Sequence, residues 1–378
     1  MDVNISTALL GGLSPAVFMQ RHWQKKPLLV RQAWPGVQPP LLRPALFDLA
    51  SRAGVESRLV EHSAQGWLVR QGPLPRRALP PLSRPQWTLL VQGLDLHVPA
   101  AHDMLSRFRF VPDARLDDLM VSWASAGGGV GPHIDSYDVF LLQVQGRRRW
   151  RVGKARKPQL QPGTPLKLLR EFEPSDDWLL EPGDMLYLPP RWGHDGVAVG
   201  GDCMTCSIGF RSPTADTLAH ELLLRLADQA AETTEEHNGG GPLYRDPAQA
   251  ATDTPAALPP PLLAFAQQAL QNLLDDPQAL PRALGEVLSE PKPHVWFEGR
   301  GAASGAVHLA PGTRMLYDER HVFINGEAFV AAGRDAQLIR RLADVRLLTL
   351  TERRRLSPGA GQLLDSWVAA GWAHGEHP

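Results

Sequence analysis

His133 and Asp135 stand two residues apart in GPHIDSYDVF, 131–140, a run that otherwise reads as a strand. Residues i and i+2 of a strand share a face, so an imidazole and a carboxylate can converge on one point. A surface pair is one reading and a metal is the other. Two imidazoles and one carboxylate on one octahedral face leave three positions open, which is the facial triad of non-haem Fe(II) oxygenases. A second histidine in a strand context decides between the readings. His194 supplies it, in EPGDMLYLPPRWGHDGVAV, which reads as turn, strand, proline-rich turn and then histidine at the start of the next strand. The separation, 194 − 133 = 61 residues, leaves room for several strands between. A lone HxD is a weak signal. HxD followed by PGD, a strand, PP and WxH is much stronger. Pro132 and the run Gly127-Gly128-Gly129 fit a tight approach to the first ligand.

A second feature follows by parity. In GRRRWRV, 146–152, Arg148, Trp150 and Val152 share one strand face, and Arg147, Arg149 and Arg151 share the other. Trp150 and Val152 belong inside, so Arg148 goes inside with them. A lone guanidinium there is costly unless an anion pairs with it. A protein acid would satisfy it. So would the distal carboxylate of a keto acid cosubstrate, held bidentate. The flanking arginines read as a solvated face.

These residues need a rigid frame. From about Leu119 to Phe210, short β-rich runs alternate with glycine and proline turns and no helix intervenes, which argues for an antiparallel sandwich or barrel. HIDSYDVFLLQV and QGRRRWRV read as separate strands within it. Before it, Ser14 and Pro15 mark a helix start that leads into an extended PLLVRQ. After Arg211 the pattern turns helical, with Leu218, Leu222 and Leu226 at helix spacing, then a turn-rich connector at about 233–261 and a second helix in LLAFAQQALQNLLDD. A third unit starts near Lys292. RMLYDERHVFINGEAFV is a hairpin about Asn325-Gly326, followed by a helix capped by Asp335 and another in GQLLDSWVAAGW, a small unit of the winged-helix kind.

The bulk numbers agree with several domains: 378 residues, 43% hydrophobic and 21% charged. A net charge of −1 gives no global case for nucleic acid or membrane binding. The two cysteines, Cys203 and Cys206, form a CxxC inside a strand-like run, where they face opposite sides and read as small buried thiols. The N-terminus lacks signal-peptide features and no apolar run reaches membrane-spanning length, so a cytoplasmic protein is expected.

The pieces HWQKKPLLVRQAWP, MVSWASAGGGVGPHIDSYDVFLLQVQGRRRWRVG and LEPGDMLYLPPRWGHDGVA resemble the bacterial JmjC-type Fe(II)/2-oxoglutarate oxygenases, the ribosomal oxygenases that hydroxylate an arginine of a large-subunit ribosomal protein. The resemblance runs the length of the chain and is strongest between Leu119 and Phe210. It implies a mainly β core, a double-stranded β-helix (cupin/JmjC), in residues 1–212, a helical dimerisation region in 213–290, and a winged-helix-like domain in 291–378. It puts His133, Asp135 and His194 on the iron ligands, Arg148 on the 2-oxoglutarate arginine and Ser122 on a cosubstrate contact. It further implies a homodimer that uses Fe(II), 2-oxoglutarate and O2 for 3-hydroxylation of an arginine in large-subunit ribosomal protein sixteen. The arginines of the C-terminal unit are interspersed with Asp335, Asp344 and Glu352, so a role in dimer architecture or protein contact is expected there and direct nucleic-acid binding is not.

Substrate selection is less determined by residue pattern. A buried guanidinium needs an acceptor. Tyr137, Asp138 and Asp195 flank the ligands and are candidates for contacting the target side chain, with a plain surface role as the alternative. The same chemistry on a histidine, a cupin binding module without catalysis, and a zinc hydrolase are rival readings. The joint presence of three ligands and Arg148 argues against the last two.

Overall fold

The structure is a computed structural model that describes residues 2–155, 158–236, 242–299 and 305–375. The chain divides into two compact units, Met1–Ser212 and Pro213–Pro378.

The first unit is built on one antiparallel sheet of ten strands. These are β1 (Leu28–Val30), β2 (Ser57–Ser63), β3 (Gly66–Gln71), β4 (Trp87–Val91), β5 (Leu116–Ala124), β6 (His133–Ile134), β7 (Val139–Lys154), β8 (Asp176–Leu180), β9 (Met185–Leu188) and β10 (Trp192–Phe210). Their order is β1-β9-β7-β10-β5-β4-β2-β3, with β6 on β10 and β8 on β7. Three short helices accompany it: α1 (Pro15–Arg21), α2 (Arg43–Leu49) and α3 (Pro99–Ser106). Ser14 caps α1 by accepting from Val17 N at 3.3 Å, and Pro15 takes the first turn, where its missing N–H costs nothing. The main core gathers Phe18, Trp87, Trp123, Phe140 and Tyr187.

Two long strands carry the site, and they differ from the expected pieces. HIDSYDVFLLQV is not one strand. β6 stops at Ile134, the chain bends at 135–138, and β7 then runs 16 residues through the arginine-rich segment. Within β7 the cavity-lining parity changes, from Val139 and Leu141 to Arg148 and Trp150. The change spans Gly146, whose φ is +62° and where a Cβ would lie 2.2 Å from Asp202 O. The β7–β10 register shifts between Val199 and Thr205, as a bulge requires. Cys203 and Cys206 are both buried free thiols; Cys206 joins the main core and Cys203 packs with Ala124 and Ala198.

The second unit holds α4 (Ala215–Glu236), α5 (Pro260–Asp275), α6 (Ala279–Ser289), α7 (Gly333–Val345), α8 (Leu350–Arg353) and α9 (Pro358–Ala369). Strands β11 (Val307–Leu309), β15 (Leu347–Leu348) and β16 (Ala373–Gly375) form one small sheet. Strands β12 (Met315–Tyr317), β13 (His321–Ile324) and β14 (Glu327–Val330) form another. The Asn325-Gly326 turn has φ of 49° and 89°, the type I′ signature. Asp335 does not cap α7, which starts two residues earlier; its carboxylate accepts from Ser357 N and Oγ at 3.0 and 2.5 Å. α4 runs into the stretch expected as connector, and residues 237–241 of that stretch lie outside those described. α6 packs on the hairpin, where a Cβ on Gly285 would meet the Phe323 ring at 2.3 Å and Gly326 N donates to Ser289 Oγ at 3.1 Å.

Candidate active site

His133 and His194 occupy the same rung of the β6–β10 ladder. Directly opposed residues share a face, so the imidazoles meet with ring centroids 4.2 Å apart. Asp135 lies past the end of β6, and the bend there brings its Oδ2 to 3.5 Å from His194 Nε2. One ligand atom from each residue lies within 4.8 Å of the others, a spacing that can hold a metal ion. Both rings are oriented from behind. Nδ1 of His133 is 2.8 Å from Gly131 O, and Nδ1 of His194 is 3.0 Å from Trp192 O. Donation to those carbonyls leaves each Nε2 lone pair free for a metal. Burial, then the adjacent His133, pushes the His194 pKa down to about 4, so this imidazole is neutral near pH 7.

The triad opens on a cavity of about 470 Å³ that Ser122, Arg148 and Trp150 also line. Arg148 is buried, as parity requires. Its Nη1 donates to Ser122 Oγ at 3.2 Å and its Nη2 to Gly196 O at 3.1 Å, and its Cζ lies 4.9 Å from the Trp150 ring centroid. Arg148 Nε is buried with no hydrogen-bond partner, and no acid of the described residues forms an ion pair with this guanidinium. An anionic ligand therefore fits better than a protein acid. The donor set of the triad, two nitrogens and one carboxylate, likewise fits Fe(II).

The three candidates for substrate contact separate. Tyr137 lines the cavity with 38% of its surface exposed; burial, then the Asp135 carboxylate, raises its hydroxyl pKa. Asp138 does not line it. Its fully buried carboxylate accepts from Tyr187 Oη at 2.6 Å and Gln24 Nε2 at 3.0 Å, with Arg115 Nη2 at 3.5 Å. Asp195 follows a ligand on β10, so it faces away from the cavity, where it is buried against Arg151. It is neither at the mouth nor on the surface. Two further acids line the cavity, Asp117, which pairs with Arg211 at 3.5 Å, and Asp118, whose Oδ2 accepts from Gly93 N at 3.0 Å. Asp118 lies four residues before Ser122 on β5, hence on the same face, and that period-2 relation was the available signal.

A family model described as the JmjC domain matches residues 103–218, and one described as a ROXA-like winged helix matches residues 272–374. The "Ribosomal protein uL16 3-hydroxylase" of Escherichia coli K12 is 37% identical over 334 residues, 84% of this chain and 86% of that one. The chain belongs to the JmjC-type ribosomal oxygenases. The E. coli ribosomal oxygenase YcfD, solved in complex with cobalt and 2-oxoglutarate, superposes on this family member with a TM-score of 0.80 at 30% identity, covering 96% of this chain and 98% of that one. A "Probable ribosomal oxygenase" of Haemophilus influenzae is 37% identical over 54% of this chain and 52% of its own. The first unit of this ribosomal oxygenase thus has the JmjC/cupin fold, and the second carries the winged helix.

Proposed function

We propose that this protein is an Fe(II)- and 2-oxoglutarate-dependent hydroxylase that acts on an arginine of large-subunit ribosomal protein uL16. One observation carries the reading: a buried arginine without a protein acid shares a cavity with a two-histidine, one-carboxylate cluster.

Nε2 of His133, Nε2 of His194 and the Asp135 carboxylate would hold the iron. With 2-oxoglutarate and O2, the iron supplies the oxidising power that puts one oxygen atom into a C–H bond while 2-oxoglutarate becomes succinate and CO2. The chain's own residues bind and orient. Arg148, with Ser122 beside it, holds the distal carboxylate of 2-oxoglutarate through charge-assisted hydrogen bonds. Gly131 O and Trp192 O keep both imidazoles in the ligating tautomer. Asp118 and Asp117 on the cavity wall give an incoming guanidinium the acceptors it needs, and the Tyr137 ring gives it a face to lie against.

The partner set follows. α5 buries no residue, and Leu263, Leu270 and Leu274 on it are exposed, as are Leu223 and Leu224 on α4. A second copy is the occupant this face suits, so the protein is a homodimer; a solution mass of one chain, 41.5 kDa, would refute that. Three arginines of the C-terminal unit are paired within it: Arg341 with Glu352, Arg353 with Asp365 at 2.8 Å, and Arg340 with Glu319 O at 2.7 Å. That pairing argues for protein contact rather than nucleic-acid binding. A ribosomal substrate makes the cytoplasm its place of action. No helix among the described residues is long and apolar enough to cross a membrane.

The deciding experiment supplies purified protein with Fe(II), 2-oxoglutarate, air and recombinant uL16. Mass spectrometry should find one added oxygen atom on a single arginine, with matching succinate. An unmodified uL16, or modification that persists without 2-oxoglutarate, refutes the assignment.

A further inference from the structure

We propose that Gly196, backed by Gly129, is a positioning residue for Arg148, which it holds in place for the cosubstrate by having no side chain. The inference rests on the 2-oxoglutarate reading above. Gly196 supplies the carbonyl that accepts from Arg148 Nη2 at 3.1 Å. It also stands opposite Trp150 on the β7–β10 ladder, so any side chain at 196 would point to the cavity face. A Cβ there would lie 2.7 Å from Arg148 Nε and 2.6 Å from Trp150 Cζ3. Both neighbours are buried and stacked on each other at the cavity wall, so a methyl group at 196 would push them toward the cavity and draw Arg148 off the Gly196 carbonyl.

Gly129 works from the edge of β10 that bonds to the glycine run. A Cβ at 129 would lie 2.5 Å from Gly196 O, the same atom that Arg148 uses. The glycine run is tied to β10 on either side of Ala198: Gly127 N donates to Ala198 O at 3.0 Å, and Ala198 N donates to Gly128 O at 2.9 Å. Neither Gly129 nor Gly196 has a positive φ, so the demand on both is closeness and not backbone conformation. The two glycines let a loop, a strand and a guanidinium stack at backbone distance. The carbonyl then faces Arg148, and Arg148 faces the cavity.

The test separates cosubstrate binding from metal binding. Calorimetry measures 2-oxoglutarate binding to Mn(II)-loaded protein, and electron paramagnetic resonance measures Mn(II) binding to metal-free protein. Gly196→Ala and Gly129→Ala should each weaken 2-oxoglutarate by about tenfold or more, the scale of one misplaced charge-assisted bond, and leave Mn(II) affinity near wild type. Loss of both affinities together would mean a general packing role and overturn the proposal. So would wild-type 2-oxoglutarate affinity in either variant. If Gly196→Ala does not fold, Gly196→Ala combined with Trp150→Phe removes the ring clash and keeps the Arg148 clash. That double variant should fold and bind 2-oxoglutarate weakly; full affinity would overturn the role assigned to Gly196. Wild-type protein that binds Mn(II) but no 2-oxoglutarate would instead bring down the functional reading, and this assignment with it.

Discussion

Replacing Arg148 with methionine should separate the needs of folding from the needs of the reaction. In the free protein the guanidinium is buried, touches two neutral acceptors and has no carboxylate partner among the described residues. A lone buried cation costs several kcal/mol of desolvation. Arg148→Met removes that cost, keeps most of the side-chain volume against Trp150, and leaves Ser122 Oγ and Gly196 O short of a donor, at about 1–3 kcal/mol each. The opposing terms are of similar size. Metal-loaded Arg148→Met should therefore melt within a few degrees of wild type, or above it.

Ligand binding should respond differently. Removing one partner of a desolvated charge pair costs about 2–5 kcal/mol, so Kd for 2-oxoglutarate should rise by about 30-fold or more. With 2-oxoglutarate at about 100 times the wild-type Kd, binding stabilises wild type by about 2.7 kcal/mol. A unit of this size shifts its melting point by about 2–4 °C per kcal/mol, so wild type should gain about 5–11 °C. A variant with 100-fold weaker binding gains only RT ln 2, about 0.4 kcal/mol, or about 1–2 °C. Differential scanning fluorimetry with and without 2-oxoglutarate reads both effects. The reasoning fails if Arg148→Met keeps the full ligand-induced rise. It also fails if the ligand-free variant melts many degrees low, since Arg148 would then be a structural cation.

Three further outcomes follow from the placement of single side chains. Asp195→Asn should cost about 1 kcal/mol of stability by weakening the pair between its buried carboxylate and the half-exposed Arg151, yet keep the KM for substrate, because the side chain faces away from the cavity; a raised KM in a folded variant would contradict that. Asp118→Asn should raise KM for an arginine-containing uL16 peptide by about tenfold or more while 2-oxoglutarate affinity holds, checked by steady-state kinetics and calorimetry. In metal-free protein the folded His194 pKa of about 4 lies below the ordinary 6.5, so the unfolded chain takes up the proton first as pH falls. Stability from this group is intact above pH 6.5 and drops by about 1.4 kcal/mol per unit, up to about 3 kcal/mol near pH 4; denaturant curves of His194→Gln over that range should be flatter, and an equal slope would refute the origin.

The metal cluster was legible because its signals are local. His133 and His194 each sit in short β-rich context, and Arg148 is sorted inward by Trp150 and Val152 on its own strand. Asp135 was placed correctly by a partly wrong route, since it converges through a bend and not through strand pleating. Asp138 and Asp195 were misjudged for the opposite reason. Their partners lie 114, 49 and 23 residues away for Asp138, and 44 for Asp195, and no local pattern announces such pairs. α6 was overlooked because Pro281 and Gly285 blur the periodicity of a short segment. Gly285 is there for contact with Phe323, a tertiary demand that lowers helix propensity.

The arginines beside Arg148, read first as a solvated face, also serve the site. A one-residue slip of β10 against β7 would turn His194 and Gly196 to the wrong side together, and with them the ligand and the carbonyl beneath Arg148. On the cavity face Gly196 adds no side chain to oppose that slip, although the Arg148 bond to its carbonyl does. A second guard is on the back. Asp195 and Arg151 are direct partners on the ladder and form an ion pair there, with the carboxylate buried. Arg149 reaches Asp177 of β8 at 3.1 Å on the same side. Alternation thus divides the labour along GRRRWRV and WGHDGV. Arg148, Trp150 and His194 face the cavity, and Arg151 with Asp195 ties the two strands together on the other side. Doubly neutralised protein, Arg151→Gln with Asp195→Asn, should lose metal and 2-oxoglutarate affinity together if the ion pair sets register, and neither if packing alone does.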